Sequence, residues 1–514
     1  MAAHDGARLG VAGGADAVSR PPRDRSGRIF QGESPTEPLP MADLLRRTPY
    51  RDMRIPGEAP EDTQVRWALD LAARVGELML RCGAGAPQVV GSVAAVAAAS
   101  GVDVVEVDIT LQSLLIQASS ATGRPHTLLR VVRRTRHDYA RLVAVHELVE
   151  ALAAGEIDST EADRRLRTIK RSRRAFSVWA VSVASALLAA AVAVMIGATA
   201  LAALTTVFVV LCVTGVNRLY ARTALPEFYA NAINALVATL LAGAVYAVTV
   251  AVGHAMQEQD FAFIVAGGIV AMLPGRSMAS AIEDVLFGFP LTGAGRLLSV
   301  LVALTGLIIG IAGGLSVMLS LTTVLGSDFV SPSVLRLGVN QSSVAAAVGG
   351  ALVVGLSGAV TVQSLRRLIV PTGLLSVGTA VVAAVLGRGV GIGSIAATGV
   401  AAVALGATGR LVAVRLGAPS MVLVVPASFA LLPGLTIFRG LYELVAASGV
   451  SPGSLTIQSG LTTLLGAGAI LLAIATGTVF GEILASPWDR SVRGARPEGR
   501  DGLDAGGDDD LRRA

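Results

Sequence analysis

Cysteine is nearly missing: Cys82 and Cys212 are the chain's two, and they fall in different parts of its 514 residues. Neither a disulfide framework nor a cysteine-based metal site is available. Lys170 is the only lysine among 42 basic residues, which with the alanine excess points to a GC-rich bacterial genome rather than to a binding chemistry. Charged residues make up 15% and aromatics 4%, whereas an ordinary soluble domain is about one quarter charged. The basic excess is small, 42 against 37 acidic residues, and it clusters beside apolar runs. That placement is a topology signal, and no nucleic-acid partner is expected.

Familiar chemical motifs are missing too. Gly83 and Gly85 are followed by no Gly-Lys-Ser/Thr, so they read as a helix break rather than a phosphate loop, and ATP-driven chemistry loses its support. His146-Glu147-Leu148-Val149-Glu150 lacks the second histidine of the His-Glu-x-x-His zinc motif; a helix surface is the better reading. The apolar segments hold no His/Asp/Glu cluster and no Ser/His pair, which argues against an enzyme, and no cofactor or metal is expected.

What the chain has is apolar surface: 53% hydrophobic residues, 58 glycines and a mean hydropathy of +0.65. Most of the charge lies in residues 1–174, and 175–485 is one Ala/Val/Leu/Gly tract. Its uncharged runs reach the ~20 residues that a helix needs to cross the hydrocarbon core. A polytopic α-helical membrane protein follows, with segments near 175–197, 199–217, 228–253, 261–274, 297–322, 342–364, 368–387, 389–408, 418–434 and 458–481. Residues 1–60 and 486–514 read as disordered tails, with no cleaved signal peptide. Between the first tail and the tract, 61–174 reads as a small soluble α/β domain: two helices broken at Cys82–Pro87, short strands near 102–108, 112–118 and 127–134, then helices over 138–154 and 158–171.

Arginine placement sets the expected orientation. With Arg164–Arg174 inside, the inner loops hold Arg218, Arg222, Arg276, Arg296, Arg366, Arg367, Arg410 and Arg415, and the outer loops only Arg336, Arg388 and Arg439. Both termini are then cytoplasmic.

The sharpest internal signal is a pair of Pro-Gly breaks in short apolar segments, Leu273-Pro274-Gly275 and Leu432-Pro433-Gly434, 159 residues apart. The same shift places Asp284 on Glu443. Five spans per copy is an odd number, so 175–326 and 327–485 are expected to form a 5+5 inverted repeat. Secondary transporters commonly use this plan, with sites where paired helices are interrupted. The plainer reading of each Pro-Gly is a helix end at the membrane surface.

Several stretches together resemble the threonine/serine exporter (ThrE) family: Leu78–Ala86, the run from Val102, His146–Ile157, Leu273-Pro274-Gly275 with Glu283–Gly288, and Pro433-Gly434. The likeness covers about 62–485, in a fused form of a family some of whose members are split between the repeats. It implies export of L-threonine and L-serine across the bacterial inner membrane, driven by the membrane potential or proton gradient. Import of the same substrates, or a membrane-embedded sensor or scaffold, are the competing functions. The expected partners are a small amino acid and the bilayer, and the chain is compatible with a homo-oligomer.

Candidate residues follow from cost. Asp284 and Glu443 are the expected ion-coupling pair, because a carboxylate near the membrane tends to take up a proton or cation; the plainer reading is two surface residues of amphipathic helices. Pro274, Gly275, Pro433 and Gly434 free backbone groups that could bind substrate. Asn231 and Asn234 are further candidates, because an amide in a span needs a partner. Thr205, Thr206, Ser299 and Thr379 more often bond their own helix, and Gly306, Gly310, Gly313 and Gly314 permit close helix packing.

Overall fold

The computed structural model describes residues 62–488 apart from 103, 121–122, 133–134, 221–222, 224, 254–255, 274, 326–342 and 449–455. The expected tails therefore lie outside the described residues, apart from a short 3-10 turn at Ser486–Trp488.

The N-terminal segment begins with α1 (Asp62–Cys82), whose Val65, Leu69, Ala72 and Met79 recur at helical spacing and are all buried. Gly83 ends it at φ +95, a conformation that a side chain would strain. Helix α2 (Ala86–Ala99) starts with Pro87 in its first turn and is almost wholly apolar. Strands β1 (Val105–Thr110), β2 (Ser113–Ser119) and β3 (Pro125–Val131) form an antiparallel sheet in that order. Alternation gives it one buried face, with Leu114, Ile116 and Ala118, which packs on α1. Asp138 and Asp158 then cap α3 (Tyr139–Ala153) and α4 (Ser159–Arg171) by accepting backbone N–H bonds from Arg141 and Glu161. The expected order of elements holds, with strand limits displaced by one to three residues.

The apolar tract folds as α5 (Val178–Ile196), α6 (Ala200–Tyr220), α7 (Glu227–Ala251), α8 (Glu258–Met272), α9 (Gly275–Leu286), α10 (Pro290–Leu325), α11 (Val344–Thr361), α12 (Arg366–Ala384), α13 (Ser394–Leu416), α14 (Met421–Ala427), α15 (Gly434–Ser448) and α16 (Ile457–Ala485). Among the described residues, eight helices are long and apolar enough to cross a membrane, or ten if each of two bent pairs is one span. The bent pairs are α8 with α9, at 50°, and α14, extended by a 3-10 turn at Ser428–Leu431, with α15, at 46°. Several arginines expected in loops stand inside these helices instead: Arg218 in α6, Arg296 in α10, Arg366 and Arg367 in α12, Arg410 and Arg415 in α13, and Arg439 in α15. Arg222 and Arg336 lie outside the described residues.

Packing is closest where glycine faces backbone. A Cβ at Gly310 of α10 would come within 2.7 Å of Ala235 on α7, and one at Gly477 of α16 within 2.8 Å of the Gly399 carbonyl on α13. Thus α7 lies along α10 and α13 along α16. The bent pairs interlock: α8 packs on α15, and α9 on α14 and α16. A Cβ at Gly434 would lie 2.7 Å from the Ala266 carbonyl of α8, and Phe261 meets Phe438 edge-on at 6.1 Å.

Candidate functional site

The two acidic candidates are both buried within helices, Asp284 at 0% and Glu443 at 5% exposure. Asp284, on α9, forms an ion pair with Arg296 at 2.8 Å and accepts a 2.7 Å bond from the Ala86 N–H at the start of α2. Glu443, on α15, accepts from Arg439 at 3.1 Å and from the Thr463 hydroxyl at 2.9 Å. Each thus has an arginine partner, and they occupy different surroundings. Pro433 lies between the 3-10 turn and α15; Gly275 opens α9, and Pro274 lies outside the described residues.

The two amides serve helix packing. Asn231 donates to the Ala303 carbonyl at 3.3 Å, and Asn234 accepts from the Tyr220 hydroxyl, so α7 is tied to α10 and α6. Thr205, Thr206, Ser299 and Thr379 each donate to the carbonyl four residues earlier in their own helix.

A cavity of about 220 Å³ lies where the N-terminal segment meets the apolar helices. Gln88 of α2 and His146 and Glu150 of α3 line one side, and Glu283 of α9, Arg410 of α13, Ser420 just before α14 and Glu482 of α16 line the other. Ser420 donates to Glu482 at 2.8 Å. Met79, Phe287 and Val424 supply apolar wall. A second, smaller pocket shares the wall residues Ala279, Val424, Val425 and Thr478 with it and is lined also by Ser428 and Leu432, next to the second break. Hence His146 and Glu150, expected on a helix surface, stand 3.6 Å apart on the cavity wall.

Docking of the N-terminal segment closes this side. The Thr292 hydroxyl donates to the Ile109 carbonyl at 2.7 Å and accepts from the Leu111 N–H at 3.0 Å. Tyr139 and Ala140 donate to the Val362 and Gln363 carbonyls, Arg367 pairs with Glu147, and the Gln363 amide exchanges two bonds with the Phe176 backbone. Among the described residues no group of His, Cys, Asp and Glu is placed to hold a metal ion. Cys82 is buried beneath this surface, and burial pushes its thiol up to about 12.

Glu283, Arg410 and Glu482 escaped the sequence reading. Glu283 adjoins the more conspicuous Asp284, Arg410 reads as a loop arginine, and Glu482 falls at the end of the last apolar run. The signal that could have found them is a charged residue inside a span, which is costly unless it faces a polar cavity.

A bundle of membrane-capable helices, with a cavity of charged and apolar side chains where the N-terminal segment meets it, marks a multi-pass helical membrane protein. Two family models match consecutive parts of the chain, "Putative threonine/serine exporter" over residues 70–318 and "Threonine/Serine exporter, ThrE" over residues 346–484. The chain belongs to the threonine/serine exporter family, in its fused form. It is 28% identical over 452 residues to the "Probable threonine/serine exporter" of Mycobacterium tuberculosis, covering 88% of this chain and 81% of that one. It is 26% identical over 459 residues to the "Threonine/serine exporter" of Corynebacterium glutamicum, covering 88% and 89%. No solved structure matches.

Proposed function

We propose that the protein is a secondary exporter of L-threonine and L-serine in the bacterial inner membrane, driven by the proton gradient or membrane potential. The observation that carries this reading is the interlocking of two bent helix pairs beside a cavity that holds charged side chains. Interrupted helices in paired positions are where secondary transporters place substrate. The names of the two relatives supply the substrates.

The helices divide as α5 to α10 and α11 to α16, each bent pair counting as one span, which gives the 5+5 inverted repeat. Corresponding partners support it. Helix α5 lies on α6 as α11 lies on α12, α7 on α10 as α13 on α16, and α8 on α15 as α14 on α9. In this reading residues 61–174 are a cytoplasmic domain at the inner opening, and both termini are cytoplasmic. Gly275, Pro433 and Gly434 form the hinges, while Asn231 and Asn234 hold the scaffold that carries them. Asp284 and Glu443 are the coupling carboxylates, each exchanging its arginine for a proton as one repeat rocks against the other.

Cells loaded with a threonine-containing dipeptide, with and without this gene, test the function: faster threonine efflux with the gene supports it, and equal efflux rejects it. Reporter fusions at residues 60 and 500 should both report inside. A split result removes the even span count.

A further inference from the structure

The cavity carries both signs of charge, drawn from elements far apart in sequence. Glu283, Glu482 and Glu150 supply carboxylates, and Arg410 a guanidinium. Arg410 is near enough to Glu482 to act on it electrostatically, as Glu482 is to Glu283. Gly85 leaves room for Glu283: a Cβ there would lie 2.8 Å from its Oε2. Gln88 adds a buried Oε1 with no hydrogen-bond partner.

We propose that this cavity is an amino-acid binding site in which Arg410 holds the α-carboxylate and Glu283 and Glu482 hold the α-ammonium, with Gln88 accepting a further donor. A simple cation would meet the guanidinium, and a simple anion would meet three carboxylates. A zwitterion satisfies both ends, and charge-assisted bonds to ionised groups are the strong ones. Drug-sized ligands occupy roughly 300–1,000 Å³, so about 220 Å³ suits a smaller solute. Apolar Met79, Phe287 and Val424 leave space for a short side chain, and the Ser420 hydroxyl on Glu482 holds that carboxylate in place. The assignment rests on the export reading for the identity of the substrate, and on the cavity for its chemistry.

The test uses the full chain reconstituted in lipid. Binding of radiolabelled L-threonine is competed with L-threoninol, which lacks the carboxylate, and with 3-hydroxybutyrate, which lacks the ammonium. The unmodified protein should prefer threonine to each by about tenfold or more. Arg410→Gln should erase the preference over threoninol and keep that over 3-hydroxybutyrate, and Glu283→Gln with Glu482→Gln should do the reverse. If Arg410→Gln does not fold, Arg410→Lys serves: it keeps the charge, loses the forked geometry, and should narrow the threoninol preference. Threonine flux is read from the same vesicles. No flux in the unmodified protein overturns the export reading. Flux with both preferences unchanged in every variant overturns only the site.

Discussion

Asp284 accepts the backbone N–H of Ala86 at 2.7 Å across 198 residues of chain. A carboxylate on a membrane helix thereby caps α2, the helix that forms one wall of the cavity. The first turn of a helix leaves N–H groups without partners and carries partial positive charge, so a buried anion there is favoured on both counts. Its other oxygen faces Arg296 at 2.8 Å as an ion pair rather than an aligned hydrogen bond.

Removing this carboxylate should therefore destabilise the protein more than removing Glu443. Asp284→Ala leaves Arg296 and the Ala86 N–H without their partner, and breaking a buried pair costs about 3–5 kcal/mol. Glu443 pairs with Arg439, whose side chain is 48% exposed, and water replaces much of that interaction, leaving about 1 kcal/mol. Thermal unfolding in lipid nanodiscs should rank the two variants in this order, and amide exchange at residues 86–89 should quicken only in the first. The opposite ranking would show that Asp284 does not hold α2.

Coupling calls for size-preserving changes. Asp284→Asn and Glu443→Gln are each expected to weaken gradient-driven export more than passive exchange, measured in proteoliposomes with an imposed proton gradient. Full gradient dependence in both would place coupling elsewhere.

The thiol of Cys82 gives a pH signature. Burial raises it from 9.0 to about 12, so the folded protein keeps its proton after the unfolded chain has lost it. Below pH 9 the thiol contributes no pH dependence. Between about 9 and 12 it costs about 1.4 kcal/mol of stability per pH unit. Cys82→Ala should flatten that fall, followed by unfolding between pH 8 and 11. Maleimide should label Cys82 at neutral pH only after denaturation, and ready labelling of the folded protein would contradict the burial.

The contact between α7 and α10 allows no added volume at Gly310. Gly310→Val should cost about 1–3 kcal/mol through overpacking, seen as a lower midpoint of thermal unfolding. Gly349, with open space around it, is the control: Gly349→Ala should leave the midpoint in place.

Deleting residues 62–172 removes Met79, Gln88, His146 and Glu150 from the cavity wall. Export should be lost or freed from control, while deletion of 1–55 should leave it intact. Equal loss from both deletions would show that the wall has no separate role.

Much of the helix order is legible in the sequence because it depends on local pattern. The helix over 62–82 follows from Val65, Leu69 and Met79 recurring along one face, and its end follows from Gly83. The second break follows from Pro433, which cannot donate to a helix ladder. The cavity is illegible for the opposite reason. Glu283, Arg410 and Glu482 lie in three helices, and no run of sequence holds two of them. Arg410 also obeys the charge asymmetry that marks a loop, so topology masks its placement inside α13. Asn231 and Asn234 illustrate the converse: an amide in a span requires a partner, and here a neighbouring helix supplies it.

The charges of the cavity come from both sides of the connection at residues 326–342: Glu283 before it, and Arg410 and Glu482 after it. The first side supplies only a carboxylate, the second both a carboxylate and the guanidinium, and the pair Glu283 and Glu482 exists only when the two sides are together. A gene that joins them fixes their stoichiometry at synthesis, so no surplus of the first half waits in the bilayer with the Glu283 carboxyl parted from Arg410. Where such halves are made as separate chains, their supply must be matched, and quality control can be expected to act on whichever is in excess.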